Sequence, residues 1–275
     1  MRKTKIEIIY QVCPRTQRRD DDIIVINKPS GVSVTKDRTG APQLVDILAE
    51  QLGPEICSEL RLVHRLDKDT SGVMILAKNK ETQSKFSSYF EKKLIKKDYL
   101  ALVTGIVPGR QGTIDAPLAQ SWKKPGLMCV TRKKGKGAVT DWKLLADFGL
   151  IALLAVNPLT GRTHQIRVHL PNIGLPLTID PLYGSSRPLF LSDFKPDYRL
   201  GKGKIEKPLI DRLTLHAYQL SIENRKSKIA NEFIAGLDKK FAATIKMLTK
   251  HNPKGLDAFT DPDDFSKIIN TRRLY

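Results

Sequence analysis

The feature that most constrains this chain is its rhythm of short apolar runs, each cut off by glycine, proline or a polar cluster, with helical periodicity appearing only at irregular intervals. A doubly wound parallel sheet needs strand and helix to alternate regularly. Recurring short strands with three or four scattered helices fold instead as α+β. The expectation is a mixed, largely antiparallel sheet with flanking helices, arranged as two lobes around a central cleft. The 275 residues are enough for two such lobes.

The individual elements follow from the same reading. IIVINKP, Ile23 to Pro29, is a buried strand ended by Pro29, Ser30 and Gly31. Leu44, Ile47, Leu48 and Leu52 recur at helical spacing, with Gly53 as the stop. RLVH is strand-like and leads through the polar loop RLDKDTSG to the apolar strand GVMILAK. Phe86, Tyr89, Phe90 and Leu94 define a helix from Asn79, its cap, to about Ile95. DYLALVTG is another strand, and AVTDWKLLADF with LIALLAVNPL forms a hairpin turning at Gly149. THQIRVHL is a short helix, LTLHAYQLSI a late strand, and a last helix covers roughly Leu237 to Lys250.

Charge narrows the function. Lys and Arg number 47 against 29 Asp and Glu, a net charge of +18. A fold does not need that imbalance, but a polyphosphate partner rewards it through long-range attraction and counterion release. Between Ser121 and Thr140 lie Lys123, Lys124, Arg132, Lys133, Lys134 and Lys136 with no acid; the stretch is either a phosphate contact or a solvated loop. The three cysteines are scattered and the five histidines show no zinc spacing, so no metal is expected. No glycine-rich phosphate loop is present, which removes the usual anchor for a nucleotide cofactor. Neither a membrane span nor a signal peptide is visible, and a cytoplasmic monomer is expected.

HRLDKDTSG, His64 to Gly72, joins a strand end to a polar loop, the place from which folds present functional side chains. Arg65 and Lys68 flank Asp67, with Thr70 and Ser71 close by. Cations and donors favour an ionised carboxylate, suited to act as a nucleophile. Taken alone, the same pattern is also what a solvated aspartate in a charge-mixed turn looks like.

HRLDKDTSG resembles the motif around the catalytic aspartate of RluA-type pseudouridine synthases. The resemblance continues in order through VINKPSGVSV (Val25 to Val34), KDYLALVTG (Lys97 to Gly105), LTGRTHQIRVHL (Leu159 to Leu170) and LHAYQL (Leu215 to Leu220). It implies a cofactor-independent isomerisation of uridine in structured RNA, ribosomal or transfer, with a stem-loop as the partner. Asp67 would be the essential carboxylate and Tyr99 would stack on the uracil. Arg167 would hold Asp67 ionised, since a buried arginine needs a carboxylate partner. Arg65 would help extrude the nucleotide, although a phosphate contact is its other reading. Tyr99 could equally be a core aromatic and Arg167 a surface arginine on a short helix. Arg162, Lys133, Lys134 and Lys136 would contact phosphates. His64, His164, His169 and His216 read as structural.

Residues 1–22 are expected as an extension containing at most an edge strand, 23–250 as the catalytic domain and 251–275 as a tail. Against the family it resembles, the extension is expected to be too short for the small N-terminal RNA-binding domain that many relatives carry. One departure from the family pattern falls in LPLTID, where Ile179 precedes Asp180 in place of the usual glycine. No implied site residue lies there.

Overall fold

The computed structural model describes residues 4–9, 23–35, 41–131, 133–195, 197–201, 203–223 and 231–271. In chain order the elements are β1 (Glu7–Ile9), β2 (Ile23–Lys28), α1 (Leu44–Leu52), α2 (Pro54–Glu59), β3 (Arg61–Leu62), β4 (Ser71–Ala77), α3 (Lys80–Glu91), β5 (Ile95–Thr104) and β6 (Gln111–Asp115). There follow β7 (Leu118–Gln120), β8 (Met128–Val130), β9 (Val139–Asp147), β10 (Ile151–Pro158), α4 (Gln165–Asn172), β11 (Leu215–Ile222), β12 (Asn231–Ile234), α5 (Lys239–His251) and α6 (Pro262–Ile269). The strands pair mostly antiparallel, and the class is α+β as expected. The described residues fall into two units. One holds the chain up to Asp98 together with His216–Gly236, the other Tyr99–Leu215 together with Leu237–Thr271.

In the first unit β4 is central. It runs antiparallel to β2, with Ile24 opposite Leu76 and Ile26 opposite Met74, and parallel to β11 at Ser71 and Gly72. All seven of its residues are buried, and a strand covered on both faces carries an unbroken apolar run. Gly72 is required there. Its φ is +120°, and a Cβ would sit 2.1 Å from the carbonyl oxygen of Ala217 on β11. β1 pairs with β2 as an edge strand, and residues 10–22 lie outside the described set.

Side-chain contacts open two helices of this unit, the second at its expected cap. Gln43 N–H donates to Asp46 at 3.0 Å to open α1, whose Leu44 and Leu48 are buried. Asn79 caps α3 by accepting from Thr82 N–H at 2.8 Å. That helix stops at Glu91, short of the expected Ile95. Lys93 adopts a left-handed φ of 56°, Leu94 N–H bonds back to Tyr89 O, and Ile95 already belongs to β5. Leu94, which the periodicity places on the helical face, lies in this turn, and the next strand starts one residue later.

In the second unit β5, β10, β9 and β6 form an antiparallel sheet in that order. The β9–β10 hairpin turns at Gly149, φ +95°, and pairs Val156 with Trp142. Its core gathers Val103, Trp142, Leu154, Ile166 and Leu170. α5 opens on Asp238, which accepts from the N–H groups of Lys240 and Phe241, and buries Phe241, Ile245 and Leu248 on one stripe. Beyond it Thr260 N–H donates to Leu145 O on β9 at 2.8 Å, so this part of the expected tail packs onto the sheet. No helix among the described residues is long and apolar enough to cross a membrane.

Candidate active site

The loop carrying Asp67 belongs to the first unit. Leu66 and Thr70 are buried, Arg65 and Lys68 exposed, and Asp67 half-buried. Thr70 N–H closes the turn onto Asp67 O at 3.2 Å. The loop is then tied to the residues after β2. Gly31 N–H donates to Lys68 O at 3.0 Å, and Ser30 Oγ donates to Asp69 O at 2.6 Å. Lys28, with no exposed surface, points its ammonium at the carbonyls of Pro29, Val32 and Lys68 at 2.8–2.9 Å. A buried cation must be met by such dipoles, and these tie the backbone just after Asp67 to the residues after β2. Sequence reasoning assigned Lys28 no role. Its only signal was a lysine closing a strand that opens with four apolar residues.

Two histidines brace the same loop. His64 Nε2 accepts from Ile75 N–H at 3.0 Å, and its ring lies 4.6 Å from that of Phe90. Burial, aided by the charge of Lys97, pushes its pKa down to about 3, so the imidazole is neutral. Burial lowers Lys97 as well. His216 Nε2 faces the carbonyl of Ala235 at 3.0 Å and its Nδ1 the Ser71 hydroxyl at 2.9 Å. The carbonyl can only accept, so Nε2 carries the proton and Nδ1 accepts from Ser71. These roles are structural, as anticipated.

The remaining candidates lie in the second unit. The turn before α4 is anchored on β9 by Gln165, whose Nε2 donates to Val139 O and Thr140 Oγ1 and whose Oε1 accepts from Arg162 N–H and the Thr160 hydroxyl. Arg162 is exposed, with Nε donating to Gly137 O at 3.0 Å. His164 stands at the helix start in a left-handed conformation, φ 54°. Tyr183 Oη accepts from Met128 N–H at 2.8 Å, which leaves the phenol proton to donate to His164 Nδ1 at 2.7 Å. His169 is held between Thr140 Oγ1 and Ala116 O.

Arg167 is buried. Its Nε donates to Asp180 Oδ2 at 2.9 Å and its Nη2 to Asp180 Oδ1 at 2.7 Å, and the Tyr183 ring packs 5.4 Å from the guanidinium carbon. Asp180 Oδ1 also accepts from the N–H groups of Leu182 and Tyr183. The burial expected for Arg167 is present, and Asp180 is a carboxylate partner that sequence reasoning missed. The departure at Ile179–Asp180 therefore lies directly against an implied site residue, contrary to expectation. An acid ending the apolar run LPLTID was its one signal.

Tyr99 sits on β5 opposite Val156, half-buried and packed against the core of the unit. Lys133, Lys134 and Lys136 are exposed, but the backbone of Lys133 and Lys136 is fixed. Lys136 and Leu118 exchange two backbone hydrogen bonds at 2.8 and 3.0 Å, and Thr131 Oγ1 bonds Lys133 N–H and O. The basic stretch thus contains β8 within an ordered β7–β8 hairpin; Arg132 lies outside the described residues. Arg65 and Asp67 are carried by the first unit, and Tyr99, Arg162, Arg167 and the three lysines by the second.

Comparison with known proteins identifies the family. The family model described as RNA pseudouridylate synthase matches residues 22–172, more than half of the chain. An uncharacterised RNA pseudouridine synthase of Zymomonas mobilis is 36% identical over 215 residues, 76% of this chain and 87% of the relative. A ribosomal large subunit pseudouridine synthase C of Buchnera aphidicola is 34% identical over 230 residues, covering 83% and 69%. Among solved structures, human RNA pseudouridylate synthase domain containing 1 superposes with a TM-score of 0.66 over 98% of this chain and 96% of its own, at 22% identity, a likeness of fold. With the motifs in order and the fold in common, the chain belongs to the RNA pseudouridylate synthase family and is a pseudouridine synthase of the RluA type.

Proposed function

We propose that this protein converts specific uridines of structured RNA to pseudouridine with Asp67 as the catalytic carboxylate and without a cofactor. The bond from N1 of uracil to C1′ breaks, the base turns, and a bond from C5 to C1′ forms. The proton lost from C5 is balanced by one gained at N1, so no donor or redox partner is needed. Tyr99 and Arg167 take the roles that the resemblance gives them, and Arg65 assists extrusion of the nucleotide. Phosphates are met by Arg162, Lys133, Lys134 and Lys136. The catalytic segment is 23–250, acting as a cytoplasmic monomer.

The observation that supports this reading best is the fixing of the Asp67 loop. Hydrogen bonds from Lys28, Gly31 and Ser30 to Lys68 and Asp69 hold a half-buried carboxylate on rigid backbone, the preorganisation that a reacting group requires. Relatives named for the ribosomal large subunit favour ribosomal over transfer RNA. The test is transcriptome-wide mapping of carbodiimide-reactive pseudouridines in cells with and without the protein. At least one ribosomal or transfer RNA position should lose its signal, and identical maps would exclude the proposal.

A further inference from the structure

Trp122 is 85% exposed, an unusual place for the largest apolar side chain. It stands in the turn of the β7–β8 hairpin, between Ser121 and the cations Lys123 and Lys124, in a stretch that contains no acid. The turn is ordered. Ser121 N–H donates to Leu127 O at 2.8 Å, Leu127 N–H to Lys124 O at 3.2 Å, and Lys124 N–H to Ser121 Oγ at 3.1 Å. The base of the hairpin is anchored as well, since Leu118 clusters with Ala138 and Val168 of α4, with Met128 and Val130 against them. The ring is therefore displayed on a fixed arm that leads back to the helix of Arg167. Lys123 Nζ lies 5.2 Å from the ring centroid yet covers little of it.

An exposed indole beside lysines suits one kind of partner. Unpaired bases stack on aromatic faces irrespective of sequence, while neighbouring cations hold the phosphates on either side. An acidic protein surface would satisfy the lysines and leave the ring unexplained. A paired helix would satisfy the lysines too, but its bases offer no free face. We propose that Trp122 is a stacking platform for an unpaired nucleotide of the RNA substrate, with Lys123 and Lys124 on its flanking phosphates. The site sets a preference for single-stranded or looped RNA at the hairpin tip. This rests on the reading of the protein as an enzyme acting on RNA.

Fluorescence makes the site directly observable, because the chain has two tryptophans and the other, Trp142, is 7% exposed in the core. The whole chain is titrated with a short oligouridylate and with a blunt RNA duplex of equal length, alongside Trp122→Ala and Trp122→Phe. The single strand should quench the emission, and Trp122→Phe should abolish that quenching while keeping most of the affinity. Trp122→Ala should weaken single-strand binding by about fivefold to a hundredfold and duplex binding far less, with an unchanged circular dichroism spectrum. Unaltered single-strand affinity in Trp122→Ala, or equal losses on both RNAs, would overturn the stacking role alone. If the wild-type chain bound neither RNA, the RNA reading itself would fall and this site with it.

Discussion

Arg167 and Asp180 form a two-pronged ion pair inside the second unit, Nε to Oδ2 at 2.9 Å and Nη2 to Oδ1 at 2.7 Å, with both side chains 2% exposed. The planar guanidinium matches the carboxylate, which also caps the turn at Leu182 and Tyr183. Removing one partner leaves a charge with no water to solvate it. Asp180→Asn should therefore cost about 3–5 kcal/mol in urea unfolding. The double variant Arg167→Met, Asp180→Leu removes both members of this pair and should cost less than the sum of the two single losses. Additive losses in the double-mutant cycle would show that the pair has no coupling.

Asp67→Asn tests the chemistry. It preserves the shape of the loop and leaves the backbone bonds from Lys28 and Gly31 to Lys68 in place. Pseudouridine formation should vanish while RNA affinity and melting temperature stay near wild type. Turnover within about tenfold of wild type, roughly 1.4 kcal/mol of barrier, would remove Asp67 from the mechanism.

His64 makes acid sensitivity predictable. Its folded pKa of about 3 lies below the ordinary 6.5, so between those values the unfolded chain binds more protons than the folded one. The stabilisation is complete above about pH 6.5 and drains away as pH falls toward 3. Protonation would also set an N–H against the Ile75 N–H that Nε2 now accepts. Between pH 7 and pH 5 this group should withdraw about 1–2 kcal/mol of stability. His64→Gln should be less stable at pH 7 and should lose that slope. An identical slope in the variant would assign the acid sensitivity elsewhere.

Arg65 and the hairpin lysines should separate by assay. Neutralising Lys133, Lys134 and Lys136 together should weaken binding to all RNAs and flatten the log–log salt dependence by up to about 0.7–0.9 per lost contact. Arg65→Ala should slow modification far more than it lowers affinity, because extruding a stacked uridine costs a few kcal/mol. Moving the target uridine to an unpaired, flexible loop should partly rescue it. Equal losses of rate and affinity on both substrates would make Arg65 another phosphate contact.

Much of this protein was decided locally. The apolar run of β4, the Asn79 and Asp238 caps and the turn at Gly149 each follow from a few adjacent residues, because strand pattern, capping and turn geometry act over short range. Order along the chain also brought the motifs into register with a family, and with them Asp67, Tyr99 and Arg167 as candidates. The sequence did not reveal what those side chains touch. Lys28 has no assigned role until the carbonyls of Val32 and Lys68 close around it, and Asp180 is only the acid that ends LPLTID until α4 sets Arg167 against it. The short β6, β7, β8 and β12 were likewise invisible, since three to five residues carry too little periodicity and are strands only by virtue of their partners. A buried charge is identified by its surroundings, and residues distant in sequence supply those surroundings only once the chain has folded.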